Sequence, residues 1–76
     1  MNQINVDYQQ GFAKKYISAI NSGEPEAIIR SALIAIKNMR LKEAIPQIDI
    51  LISDSIVSKN IVKMAKNVRD YLADIE

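Results

Sequence analysis

Between Val57 and Ile75 the apolar residues Val57, Ile61, Met64, Ala65, Val68, Leu72 and Ile75 recur at spacings of three and four. That period matches the turn of an α-helix rather than the two-residue alternation of a strand, so the last part of the chain is predicted as a helix with one apolar stripe. Its other side, with Lys59, Lys63, Lys66, Asp70 and Asp74, reads as a solvated face. Ser53-Asp54-Ser55 supplies side chains able to cap the helix start.

Three more helices follow from the same reasoning. Tyr8, Phe12, Tyr16, Ala19 and Ile20 fall at helical spacing and predict a first helix over 7–22, with residues 1–6 flexible. Gly23 suits the left-handed position that closes a helix, and Pro25 suits the first turn of the next, so Asn21 to Glu24 is a tight interhelical turn. The second helix is expected from Pro25 to Met39. Ala27, Ile28, Ile29, Ala32, Leu33, Ile34, Ala35 and Ile36 surround most of its axis and leave a polar strip at Arg30, Ser31, Lys37 and Asn38. The third segment, 42–53, must start between Leu41 and Ile45, because Pro46 is tolerated only in a first turn. Its β-branched run Ile48-Asp49-Ile50-Leu51-Ile52 also fits a strand, but its neighbours are helical and no second strand candidate exists. The fold class expected is all-α: one domain over 1–76, four helices in two antiparallel hairpins, with the middle two helices sandwiched between the outer ones.

Shifting the second helix by 33 positions places Ile28 on Ile61, Arg30 on Lys63, Ala32 on Ala65, Ala35 on Val68 and Met39 on Leu72, an internal repeat of hairpin length. The run Ala32, Ala35, Ile36, Met39, then Glu43-Ala44-Ile45-Pro46, then Ile48, Leu51, Ile52 and Asp54 resembles HEAT-like repeats, especially the short variety first noted in phycobilin lyases. The resemblance covers Ile28 to Leu72, and Arg69 stands where an aliphatic residue is usual. It implies a scaffold whose helical faces bind other macromolecules, and it carries no catalytic residue over to this chain. A compact four-helix bundle is the other architecture open to these helices.

The remaining composition closes several kinds of chemistry. With no cysteine and no histidine, disulfide staples, thiol redox sites, Ser-His-type nucleophiles and the usual zinc sites are excluded. Gly11 and Gly23 are isolated, so no phosphate-cradling loop is read, and neither a cofactor nor a metal is expected. Glu24 with Glu26, or Asp70 with Asp74, could meet as carboxylate pairs, but helix-end charge and a solvated face account for both. The expectation is a protein that is not an enzyme. Absence of a basic leader followed by an apolar run, and of a long apolar stretch, points to a cytoplasmic location.

What remains is surface. At 76 residues a chain buries a small share of its area, and repeat arrays usually need about three units or end caps. Val57, Ile61, Met64, Val68, Tyr71 and Leu72 approximate a heptad seam and form the candidate protein interface, while Ile34, Ile50 and Ile56 have no obvious intrachain role. The leading expectation is a protein-binding module or small adaptor that self-associates, with a homodimer as the simplest form. Lys59, Lys63, Lys66 and Arg69 form a candidate basic ridge for a nucleic-acid-associated regulator, a weaker reading at a net charge of +1 and without interleaved aromatics. A small inhibitor or immunity-type protein is a further alternative.

Overall fold

In a computed structural model of the chain, the backbone is described for residues 2–75 and the side chains for residues 11–75. Among these residues lie four α-helices: α1 (Asn2–Ala19), α2 (Glu26–Met39), α3 (Ile45–Ser53) and α4 (Lys59–Ala73), with a 3₁₀ turn over Lys42–Ala44 leading into α3. No strand is present among the described residues, so the run from Ile48 to Ile52 is helical and the all-α expectation holds. The backbone is helical from Asn2, so α1 starts earlier than Asp7. The flexibility expected of residues 1–6 concerns Met1 and side chains that lie outside the described residues.

Each hairpin closes through the same local chemistry. In the first turn Asn21 Oδ1 accepts the Gly23 N–H at 2.8 Å and the Asn21 carbonyl accepts the Glu24 N–H at 3.1 Å. In the second, Asp54 Oδ1 accepts the Ile56 N–H at 3.0 Å and the Asp54 carbonyl accepts the Val57 N–H at 3.3 Å. A side-chain oxygen bonding the backbone two residues on mimics a turn and fixes the reversal. The partners in the two turns are 33 positions apart, so the repeat read in the helices extends through their entrances. Gly23 is not in the left-handed region expected of it. It permits close approach instead, since a Cβ there would meet Asn21 Oδ1 at 3.0 Å.

The second turn also moves a cap. Helix α4 begins at Lys59, and its N-cap is Ser58, whose Oγ accepts the Ile61 N–H at 3.3 Å. Asp54, which the sequence offered as a cap, is spent on the turn. Its carboxyl is held below the usual carboxylate range by the Ser22 hydroxyl and by the Ile56 N–H. A depressed folded-state pKa contributes stability that is fully present above the unfolded value, near 3.9, and is lost as pH falls through the folded one. Asp54→Asn is therefore expected to melt below the parent at neutral pH, and the gap should close as pH is lowered below about 4, as thermal unfolding across pH would measure.

Arg40 is the left-handed residue of the described chain, at φ 56° and ψ 48°. Its N–H donates to the Lys37 carbonyl, and the Leu41 N–H donates to the Ile36 carbonyl at 3.1 Å. Together these close the end of α2 as a Schellman motif, with Leu41 folded back against the core that holds Ile36. Glycine normally takes this position because a Cβ there costs roughly 1–2 kcal/mol, part of which a glycine's looser unfolded state cancels. Arg40→Gly should raise stability by about 0.5–1 kcal/mol, a gain of a few degrees in Tm.

Packing follows the order α1 on α2, α2 on α4, and α3 on α4. The buried set is Ala13 and Ile20; Ile29, Ala32, Leu33 and Ile36; Ala44, Ile48 and Leu51; and Ile61, Ala65, Val68 and Leu72. Small residues sit in the middle of both central helices, Ala32 in α2 and Ala65 in α4, where backbones must approach. The central pair is thus α2 and α4, not α2 and α3 as the apolar content suggested. Helix α3 has only nine residues and leaves Ile50 61% exposed, whereas α4 carries a single stripe broad enough to meet two neighbours.

Candidate interaction face

The seam expected to be an interface on α4 is divided by the fold. Ile61, Val68 and Leu72 are buried, and Val57 and Met64 are half-buried against the same core. Tyr71 remains 37% exposed, with the Lys37 ammonium of α2 lying 5.3 Å from its ring centroid. Because Lys37 reaches Tyr71 and Ser58 Oγ donates to Glu26 Oε1 at 2.6 Å, the Met64 and Tyr71 side of α4 is the side that meets α2. Within the chain this stripe of α4 packs against α2 and α3.

The repeat shows what stands in the same place on α2. The positions Asn60, Ile61, Met64, Asn67, Val68, Tyr71 and Leu72 correspond, 33 residues earlier, to Ala27, Ile28, Ser31, Ile34, Ala35, Asn38 and Met39. At about 100° per residue these seven fill an arc of about 140° on the helix. On α2 none of them is buried: Ile28 is 45% exposed, Ile34 48% and Met39 38%, with Ala35 half-buried and the rest exposed. None carries a charge either. The charged residues of α2, Glu26, Arg30 and Lys37, lie on the side turned toward α4, with Glu26 and Arg30 paired at 3.2 Å. The buried residues of α2 are turned toward α1 and α4; of the buried α4 residues Ile61, Ala65, Val68 and Leu72, only Ala65 has a buried equivalent on α2, Ala32, while Ile28, Ala35 and Met39 are not buried.

The basic ridge is less continuous than its spacing implied. Arg69 turns to α3 and pairs through Nε with Asp49 Oδ1, and its Nη1 lies 4.0 Å from Asp70. Arg69 thereby ties α3 to α4. Lys59, Lys63 and Lys66 stay exposed, with Asp70 following them along the same face. The carboxylate candidates are likewise dispersed: Glu26 serves Arg30 and Ser58, Glu24 is exposed in the first turn, and Asp70 and Asp74 are exposed. A cleft of about 170 Å³ lies where the two turns meet, lined by Ser22, Glu24, Glu26, Ile56 and Ser58 among others. Ile56, 80% exposed, stands at its rim. No group of three acidic residues able to hold a metal is formed among the described residues, and no described helix is long and apolar enough to cross a membrane.

The class defined by this fold is an all-α chain of two helical hairpins in which Ile61, Val68 and Leu72 are buried on α4 while their equivalents Ile28, Ala35 and Met39 are not buried on α2. Comparison with models of known protein families, with curated proteins and with solved structures gives no match to the chain.

Proposed function

We propose that the protein is a non-enzymatic interaction module of the cytoplasm, a HEAT-like pair of hairpins that presents the open face of α2 to a protein. One observation carries this reading: Ile28, Ile34 and Met39 are exposed on a face of α2 without a charge, and the repeat equivalents of Ile28 and Met39, Ile61 and Leu72, are buried in the core on α4. Solvated helix faces ordinarily carry charge, as the Lys59, Lys63 and Lys66 side of α4 does. An apolar face kept free of charge favours a partner that is itself apolar, as the centre of a protein interface is.

A photo-reactive residue placed at Ser31, compared with one at Lys63, tests the reading in expressing cells. The expected result is a discrete polypeptide adduct from position 31 that disappears with the added change Ala35→Glu, and none from position 63. Adducts from both positions, or an adduct indifferent to Ala35→Glu, would count against it.

A further inference from the structure

Charge is unevenly placed on this molecule. The net charge is +1, yet the central helices α2 and α4 hold six of the ten basic residues and only two of the nine acidic ones, Glu26 and Asp70, so positive charge gathers on that pair. Two of the six are spent inside the chain, Arg30 on Glu26 and Arg69 on Asp49. Lys37, Lys59, Lys63 and Lys66 are exposed and enter no ion pair among the described residues. Asp70, the one acid of α4, lies 4.0 Å from Arg69.

The fold sets these cations beside an aromatic ring. Lys59, Lys63, Asn67 and Tyr71 stand four residues apart and are all exposed, so they form one ridge along α4, about 18 Å long with about 6 Å between members. A row at that spacing drifts around the helix by about 40° per step. This one winds from the solvent side toward α2, where the Lys37 ammonium lies 5.3 Å from the Tyr71 ring centroid. In sequence Tyr71 belongs to the apolar seam. In the fold its ring is exposed at the end of the basic row, beside a fourth ammonium supplied by α2.

A row of ammonium groups ending in an exposed ring matches an anionic chain that itself carries flat rings. The bases of a duplex are stacked on one another and offer Tyr71 no face, whereas those of a single strand do. An acidic peptide would satisfy the lysines and leave the ring unused. An anionic membrane surface takes apolar side chains together with the lysines, and Ile61, Val68 and Leu72 of α4 are buried in the core. Asn60 and Asn67, exposed along the same arc, add amides, which match the ribose 2′-hydroxyl because both donate and accept. From this we infer that the ridge from Lys59 to Tyr71, completed by Lys37, binds single-stranded RNA, with the lysines on phosphates and Tyr71 against a base. Lys37 lies on the side of α2 turned toward α4, so this surface is separate from the open face of α2 and the inference does not rest on that face.

Fluorescence anisotropy of the full chain with a labelled oligouridylate of ~12 nucleotides tests the inference. Binding is expected at ~50 mM salt, its log affinity falling against log salt with a slope of about −2 to −3, from three or four lysines at about 0.7 each. Lys59→Ala with Lys63→Ala should weaken it by at least ~10-fold, whereas Lys14→Ala with Lys15→Ala, the same loss of charge on α1, should change it by less than ~2-fold. Tyr71→Leu, which keeps an apolar side chain at the site, should cost at least ~5-fold and Tyr71→Phe less than ~2-fold, with circular dichroism and melting checked for every variant. No binding at ~50 mM salt, equal losses from the two lysine pairs, or indifference to Tyr71→Leu would overturn the inference. Equal or tighter binding of the deoxy oligomer or of a duplex, or displacement by an equal concentration of polyglutamate, would overturn the assignment to single-stranded RNA.

Discussion

Leu33→Asp is expected to abolish cooperative folding. Leu33 has no exposed surface and lies on the side of α2 turned toward α4, so the change removes a filled core position and places a short carboxyl there. Loss of packing at such a site costs about 2–5 kcal/mol. Burying the acid costs several more, whether it stays charged or is neutralised by a raised pKa. At roughly 0.05–0.15 kcal/mol per residue, a chain of 76 residues holds about 4–11 kcal/mol in all. The combined loss approaches or exceeds that total, so the variant should show little helical signal at 25 °C and no thermal transition. The repeat supplies the control: Lys66 is the equivalent residue and is exposed, so Lys66→Asp should change stability by less than about 0.5 kcal/mol.

The second large effect is a contrast within another pair of equivalents. Ile61 is 1% exposed and Ile28 45% exposed, though both hold the same position in their hairpins. Ile61→Ala should lose about 2–5 kcal/mol, and Ile28→Ala should lose under about 1 kcal/mol when measured on dilute chains. Denaturant unfolding reads both as shifts in midpoint at constant slope.

How far these features could be read from the residues depends on whether they are local. The turn at Asn21 to Glu24, the start of α3 around Pro46 and the 33-residue repeat rest on side chains acting within a few positions of themselves, and each is visible in sequence. The cap at Ser58 was not, because Ser53, Asp54, Ser55 and Ser58 are all able cap residues, and the Ser22 and Ile56 partners that commit Asp54 to the turn come from its folded surroundings. Which helices are central was also hidden. Periodicity gives the width of an apolar face but not the number of neighbours that share it, so α3 looked inner and α4 outer.

The exposed side of α2 was hidden for the same reason. A helix apolar on most sides reads as buried on most sides, yet the fold turns Leu33 and Ile36 inward and leaves Ile28, Ile34 and Met39 outside. Conversely, the seam on α4 has the pattern of an interface, and Ile61, Val68 and Leu72 of it are buried in the chain's own core. Comparing the two copies position by position separates these cases. Ala32 and Ala65 are buried in both copies, whereas Ile61, Val68 and Leu72 are buried and their equivalents Ile28, Ala35 and Met39 are not.

Ile61, Val68 and Leu72 are covered on α4 while their equivalents Ile28, Ala35 and Met39 stand open on α2, and thiol labelling at equivalent positions tests this contrast most directly. Single cysteines introduced as Ala35→Cys and Val68→Cys, in dilute reduced protein, are expected to differ in modification rate by at least ~100-fold, position 35 reacting readily and position 68 only through opening of the fold. Equal protection at the two positions in the dilute monomer would contradict the account.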